Sequence, residues 1–176
     1  MSSPDEEETL NFRFEEYVRG FMEHDIEEAI KAKLNFLAAL GLATYTEVLG
    51  KLQVGRTDSA ATRLCFEAGW SLLGTWDGAT SQWAYGKLRC GLVHRYFPPV
   101  EKEGNSGDGV VTVLLPGGEE IIVYGPNGER QGIAVVPWFD AWKRAWRELR
   151  TGMLASDEAV HRGLRVFREL LNEAPA

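Results

Sequence analysis

Apolar residues recur every three or four positions along most of the chain, which is the spacing of one face of an α-helix. The pattern predicts helices over about 10–22, 25–40, 44–52, 58–75, 81–96, 137–150 and 156–172. Capping and breaking residues set their ends. Gly41 is expected to end the second helix, and Thr44 with Glu47 is expected to open the third as a capping box. Pro98 and Pro99 end the helix that starts near 81.

The pattern changes to short β-prone runs between 108 and 136. VVTVLL and EIIVY are joined by the turn sequence PGGE and predict a β-hairpin, with IAVV as a third short strand. The predicted fold is therefore mainly α: an up-and-down helical bundle with a small inserted antiparallel β-hairpin or meander at about 108–136. We expect residues 1–9 to be disordered and residues 10–176 to form a single domain.

The net charge of −7 is local. Residues 1–50 hold 11 acidic and 4 basic side chains, whereas 51–176 hold 15 of each, and 143–168 run basic. An anionic partner is therefore compatible with the sequence, although the dense basic stripe of a duplex binder is missing. No apolar run approaches the roughly 18 residues of a membrane helix. The acidic start is unlike a signal peptide. Cys65 and Cys90 predict buried thiols rather than a disulfide, so we expect a cytoplasmic protein.

One segment carries candidate chemistry. KLRCGLVHRYFPP, residues 87–99, places Arg89 five residues before His94 at the end of a helix. Histidine exchanges a proton near neutral pH, and arginine offers a planar charged fork to phosphate oxygens. Together they could cleave a phosphodiester without a metal. The alternative is that both cations simply stabilise the negative end of the helix dipole.

An all-helical bundle with Arg-x4-6-His near the end of a late core helix resembles the HEPN (higher eukaryotes and prokaryotes nucleotide-binding) superfamily. LRCGLVHRY is similar to its motif segment, with Arg89 and His94 at the motif positions. The resemblance implies a metal-independent endoribonuclease or RNA-binding protein that acts as a homodimer, in a toxin–antitoxin or defence setting with an antitoxin-like partner. It implies no cofactor and no metal. Arg95 and Tyr96 are expected to assist RNA binding.

The same short motif occurs a second time, in RGFMEH, where Arg19 precedes His24. This copy lies among Glu23, Asp25 and further carboxylates, which disfavour an RNA phosphate. Arg89 and His94 are therefore the preferred pair, although the sequence leaves the choice between the two copies open.

Two other functions stay open. Trp138, Trp142 and Trp146 recur every four residues beside basic side chains, which is typical either of a base-stacking platform or, preferably, of a core-facing stripe. A non-catalytic dimeric interaction module would use the acidic N-terminal region or the β-meander. A small-molecule or nucleotide-binding bundle would enclose a cavity near Trp70, Trp76 or Trp83.

Overall fold

The computed structural model describes residues 2–74, 78–95, 112–114, 121–124 and 130–173. Its α-helices, in chain order, are α1 (Pro4–Arg13), α2 (His24–Lys31), α3 (Asn35–Val54), α4 (Thr62–Ser71), α5 (Gly78–Trp83), α6 (Cys90–Arg95), α7 (Val135–Leu154) and α8 (Asp157–Leu170). A short 3₁₀ turn, Ser59–Ala61, precedes α4. The prediction of a mainly α helical bundle is confirmed.

Helix α1 begins six residues earlier than the hydrophobic pattern indicates. Ser3 and Glu6 form a capping box, and Pro4 occupies the first turn. The backbone N–H of Ser2 also donates to the carboxylate of Asp157 at 2.8 Å. The expectation of a disordered start is therefore wrong for residues 4–9, which are helical. This part of the helix has no apolar face that the sequence pattern could show, and its polar capping contacts stabilise it instead.

Two segments are π-helical. The first, Phe14–Glu23, joins α1 to α2, and the second, Ala84–Arg89, joins α5 to α6. In a π-helix the hydrogen bonds run from residue i to i+5, so residues five apart lie about one turn apart on the same face. Such segments are rare, and they are frequent at functional sites.

Helix α3 runs without a break through Gly41 and Thr44, so both predicted boundaries there are wrong. The preceding helix ends ten residues before Gly41, where Lys33 adopts a left-handed conformation (φ 58°) and the N–H of Leu34 bonds to the carbonyl of Ala29. Gly41 serves packing instead, because a Cβ there would lie 2.5 Å from the side chain of Ile26.

Glycines also bring α3 and α4 into backbone contact. A Cβ on Gly50 would lie 1.6 Å from the carbonyl oxygen of Cys65, and one on Gly69 would lie 1.9 Å from that of Thr46. No side chain fits in either place, so the two helices pack more closely than ordinary helix pairs.

The strands are β1 (Thr112–Leu114), β2 (Ile122–Tyr124) and β3 (Arg130–Ala134). They form one sheet in the order β1-β3-β2, with β3 parallel to β1 and antiparallel to β2. The predicted three strands are present, but the predicted pairing of β1 with β2 is wrong. The hairpin partners are β2 and β3, and β3 continues directly into α7.

The core is one contiguous cluster that includes Leu10, Phe66 and the three tryptophans of α7. In the part of the chain described, no helix is both long and apolar enough to cross a membrane. The fold brings α3 beside the second π-segment, and that contact forms the candidate site.

Candidate functional site around Arg89 and the Arg19 groove

Arg89 lies at the last position of the second π-segment and faces α3. Its Nε donates to Oε2 of Glu47 at 2.9 Å. The side chains are 17 % and 8 % exposed, so this is a largely buried ion pair. Arg89 is therefore held in one orientation by a carboxylate that lies 42 residues away in the chain.

Glu47 binds a second cation. Lys51, one turn further along α3, places its Nζ 3.0 Å from the other carboxylate oxygen, Oε1. One carboxylate thus lies between two cations. We name Glu47, Lys51 and Arg89 the charged cluster. Its two cations are donors of the kind that bind anionic oxygens.

Tyr85 and Cys90 lie beside the charged cluster. Burial, followed by the neighbouring thiol of Cys90, raises the pKa of the Tyr85 hydroxyl. Burial likewise raises the pKa of the Cys65 thiol. Both cysteines are free thiols; Cys65 is buried as predicted, whereas Cys90 is only partly buried. A thiol with a raised pKa is a poor nucleophile at neutral pH, which leaves Cys65 as a core residue.

The backbone of His94 lies in α6, one α-helical turn and a further residue beyond Arg89. The π-segment ends at Arg89, so the stretch between the two residues has α-helical spacing and separates them by about 140° around the axis. The side chains of His94 and Arg95, and all of Tyr96, lie outside the described part of the chain. The predicted convergence of Arg89 and His94 stays a prediction.

The rival pair lies in a different environment. Arg19 lies in the first π-segment, and His24 is the residue directly after that segment. The two residues are five positions apart, which is about one turn of a π-helix. Both line an open groove of about 470 Å³ together with Gly20 and three carboxylates, Glu15, Glu23 and Glu27. The structure therefore brings Arg19 and His24 to one surface, which the sequence analysis did not expect.

Two of the three carboxylates of this groove, Glu15 and Glu23, pair with arginines of α7. Arg150 lies 2.8 Å and Arg19 2.9 Å from the carboxylate of Glu15. Glu23 accepts from Nε1 of Trp146 at 2.8 Å and pairs with Arg147 at 3.1 Å. The local excess of acid expected from the sequence is thus offset by residues more than a hundred positions away.

The tryptophans of α7 belong to the core. Trp138 and Trp142 are fully buried and Trp146 is 1 % exposed. The core-facing interpretation is confirmed, and a base-stacking platform on this face is excluded. Trp70 is also fully buried, with its ring 5.5 Å from that of Trp138. Trp76 lies outside the described residues.

Within the described ranges, no group of three or more His, Cys, Asp or Glu side chains is arranged to hold a metal ion. Glu47 and Lys51 are the site residues that sequence reasoning missed. Their signal was a Glu and a Lys four apart within an apolar helix, which is a pair spaced to interact.

Comparison with known proteins adds no relative. No family model matches the chain. No curated protein matches it. No solved structure matches its fold. The HEPN resemblance therefore depends on the motif segment and on the helical fold.

Proposed function

We propose that this protein is a HEPN-like, metal-independent endoribonuclease whose site is Arg89 and His94. The observation that supports the proposal is the charged cluster: Arg89 and Lys51 around one buried carboxylate, directly before the helix that contains His94. Such a cluster suits a phosphate oxygen. It also explains why Arg89 needs Glu47, because an unpaired arginine in a largely buried position would be costly.

In this proposal His94 handles the proton and Arg89 the charge. His94 removes the proton from the RNA 2′-hydroxyl, whose oxygen bonds to phosphorus, and a protonated histidine returns a proton to the departing 5′-oxygen. Arg89 stabilises the negative charge that grows on the non-bridging oxygens. The products are a 2′,3′-cyclic phosphate and a 5′-hydroxyl. Arg95 and Tyr96 would contact the flanking RNA.

The proposal includes a homodimer. Arg89 and His94 lie about 140° apart around one helix axis, so a single helix presents them in different directions. Two facing copies of α6 across a two-fold axis would place the histidine of one copy near the arginine of the other. An antitoxin-like protein that covers this face would silence the activity.

The test is cleavage of a mixed RNA pool in excess EDTA by the wild type, His94→Gln and His24→Gln, after circular dichroism shows that all three are folded. His24→Gln is the matched control, because it removes the histidine of the rival Arg-x4-His copy. We expect His94→Gln alone to abolish cleavage. Loss only in His24→Gln would move the site to the Arg19 groove. Equal cleavage by all three, or none by any, would contradict the proposal.

A second candidate is a non-catalytic interaction module, and a specific observation favours it. Phe12 and Phe21 are each 56 % exposed, and Leu34 and Leu37 are 47 % and 52 % exposed, all within the acidic residues 1–50. Large apolar side chains exposed in one region are typical of interaction surfaces. Sedimentation equilibrium of the wild type and of Phe12→Ser/Phe21→Ser tests this function. Dissociation of a dimer by the double variant would support it, and an unchanged mass would count against it.

A further inference from the structure

The outer side of α1 carries an exposed aromatic ring. Phe12 is 56 % exposed, whereas Leu10 and Phe14, two positions before and after it, point the other way and are fully buried. Phe12 lies in an open groove of about 400 Å³, and all the residues that line this groove belong to α1: Asp5, Glu8, Thr9, Phe12 and Arg13. One helix supplies only one wall, so a small molecule there would stay mostly in water, unlike the ligands of enclosed sites. A partner that lies along the helix would supply the second wall.

Three exposed carboxylates lie in line with this ring. Asp5, Glu8 and Phe12 are spaced i, i+3 and i+7, which places them on one face of the helix, and Glu16 follows four positions later. Within the described residues, none of these three carboxylates forms an ion pair, whereas the equally accessible Glu28 pairs with a lysine at 2.8 Å. We name Asp5, Glu8, Phe12 and Glu16 the Phe12 face.

Contacts within the chain account for only one of these charges. Asp5 is in the first turn of α1, where the helix dipole stabilises a carboxylate. Glu8 and Glu16 lie beyond that turn, and the effect of the dipole falls off within it. Arg13, the cation of the groove, is held by Glu173 at 2.8 Å instead. Glu8 and Glu16 are therefore free to pair with cations from outside the chain.

We propose that the Phe12 face binds a basic amphipathic helix of a partner protein. Apolar side chains of the partner would cover the ring of Phe12, and its Lys or Arg side chains would pair with Glu8 and Glu16. Asp5 and Glu16 are separated by about 15 Å along the helix axis, which about three turns of a partner helix would span. Opposite charges on the two surfaces would orient the partner and select it.

The charge of the Phe12 face decides between the possible partners. Nucleic acids and anionic membranes are negatively charged and would be repelled. A second copy of the chain, placed with the same face inward, would bring like charges together, which is unfavourable across an interface. The inference rests on the second candidate function, the interaction module, and names a basic partner for it. It is independent of the proposed ribonuclease activity.

The probe is a fluorescein-labelled peptide of about 14 residues, with leucine on one helical face and lysine on the other, and its binding is followed by fluorescence anisotropy at physiological ionic strength. We expect it to bind the wild type, and the same peptide with glutamate in place of lysine not to bind. Phe12→Ser should weaken binding about tenfold, because the ring is no longer there to be covered. Glu8→Gln/Glu16→Gln should weaken it about fivefold. No binding of the lysine peptide at about 1 mM would overturn the proposal.

Two matched variants distinguish the Phe12 face from the rest of the surface. Leu64→Ser removes an apolar side chain of similar exposure, 48 %, from α4, and Glu28→Gln/Glu67→Gln removes two charges from α2 and α4. Both should bind the peptide like the wild type, after circular dichroism shows that all variants are folded. Equal losses in these controls would overturn the proposal, as would a dimer that Phe12→Ser alone dissociates in sedimentation equilibrium. Binding that Phe12→Ser leaves unchanged would refute this face, while the interaction module would still be judged by its own test.

Discussion

Replacing Glu47 by Gln removes the only negative charge of the charged cluster and leaves Lys51 and Arg89 side by side. The carboxylate is 2.9 Å from Arg89 Nε and 3.0 Å from Lys51 Nζ. Glutamine keeps the volume and one acceptor oxygen, so the substitution tests the charge. We expect Glu47→Gln to lower the free energy of unfolding substantially, although the two side chains have nearly the same shape.

The magnitude follows from burial. Removing one partner of a buried ion pair costs about 3–5 kcal/mol. The Glu47 side chain is 8 % exposed, but the two cations are each 17 % exposed and can regain some water. We therefore expect about 3 kcal/mol, near the lower end of that range. For a protein of this length, this corresponds to a fall in Tm of about 6–12 °C.

Urea unfolding followed by circular dichroism measures the difference, with Glu28→Gln as the matched control. Glu28 forms a pair of similar length with Lys31, 2.8 Å, but these side chains are 55 % and 66 % exposed. The control should be indistinguishable from the wild type, because water screens exposed pairs. A triple variant, Glu47→Leu/Lys51→Met/Arg89→Met, should recover most of the loss. A loss of unfolding free energy below about 1 kcal/mol in Glu47→Gln would refute the reasoning, because breaking a buried ion pair should cost more than that.

The remaining predictions concern packing and titration. Gly50→Ala should lower the free energy of unfolding in urea by at least about 3 kcal/mol, because its Cβ would meet a backbone carbonyl that cannot move aside. Gly86→Ala is the control, because a Cβ there meets no atom, and it should be neutral or slightly stabilising. Equal effects of the two substitutions would contradict the close contact of α3 and α4. Burial and Asp25 raise the pKa of Tyr45 to about 12 in the folded protein. The unfolded chain therefore loses this proton at lower pH, and the free energy of unfolding should fall as pH rises from about 10 to 12. Tyr45→Phe should make that fall less steep, and a pH profile of the variant parallel to that of the wild type would contradict this. Glu23→Gln should destabilise the protein and shift Trp146 fluorescence, because Glu23 accepts from the buried indole N–H; an unchanged emission spectrum would contradict this contact.

The sequence predicted most helices because their apolar faces and caps are local signals. Asp58, at the predicted start of the helix that contains Cys65, caps the 3₁₀ turn before α4 by accepting from the N–H of Ala61. Helix α8 begins at Asp157, one residue after its predicted start. The errors occurred where one residue type serves two purposes. Glycine often ends a helix, and glutamate often belongs to a capping box, but Gly41 and Glu47 both lie inside α3. Gly41 is needed there for close packing against Ile26, and Glu47 for pairing with Lys51 and Arg89.

The candidate site could be predicted only in part. The motif segment pointed to Arg89 and His94, whereas Glu47, which pairs with Arg89, lies 42 positions earlier in the chain and carries no signal that links it to Arg89. The neutralisation of the Arg19 groove by Arg147 and Arg150 was likewise invisible, because the charge of the N-terminal region was counted along the chain rather than in space.

The sequence by itself determined the class of fold, the positions of most helices and the core-facing stripe of α7. These depend on periodicity and composition, which act over one or two turns. The tertiary structure alone decided that β3 lies between β1 and β2 and that Glu47 pairs with Arg89. These depend on contacts between distant segments, where close packing and the cost of burying a charge determine which residues meet.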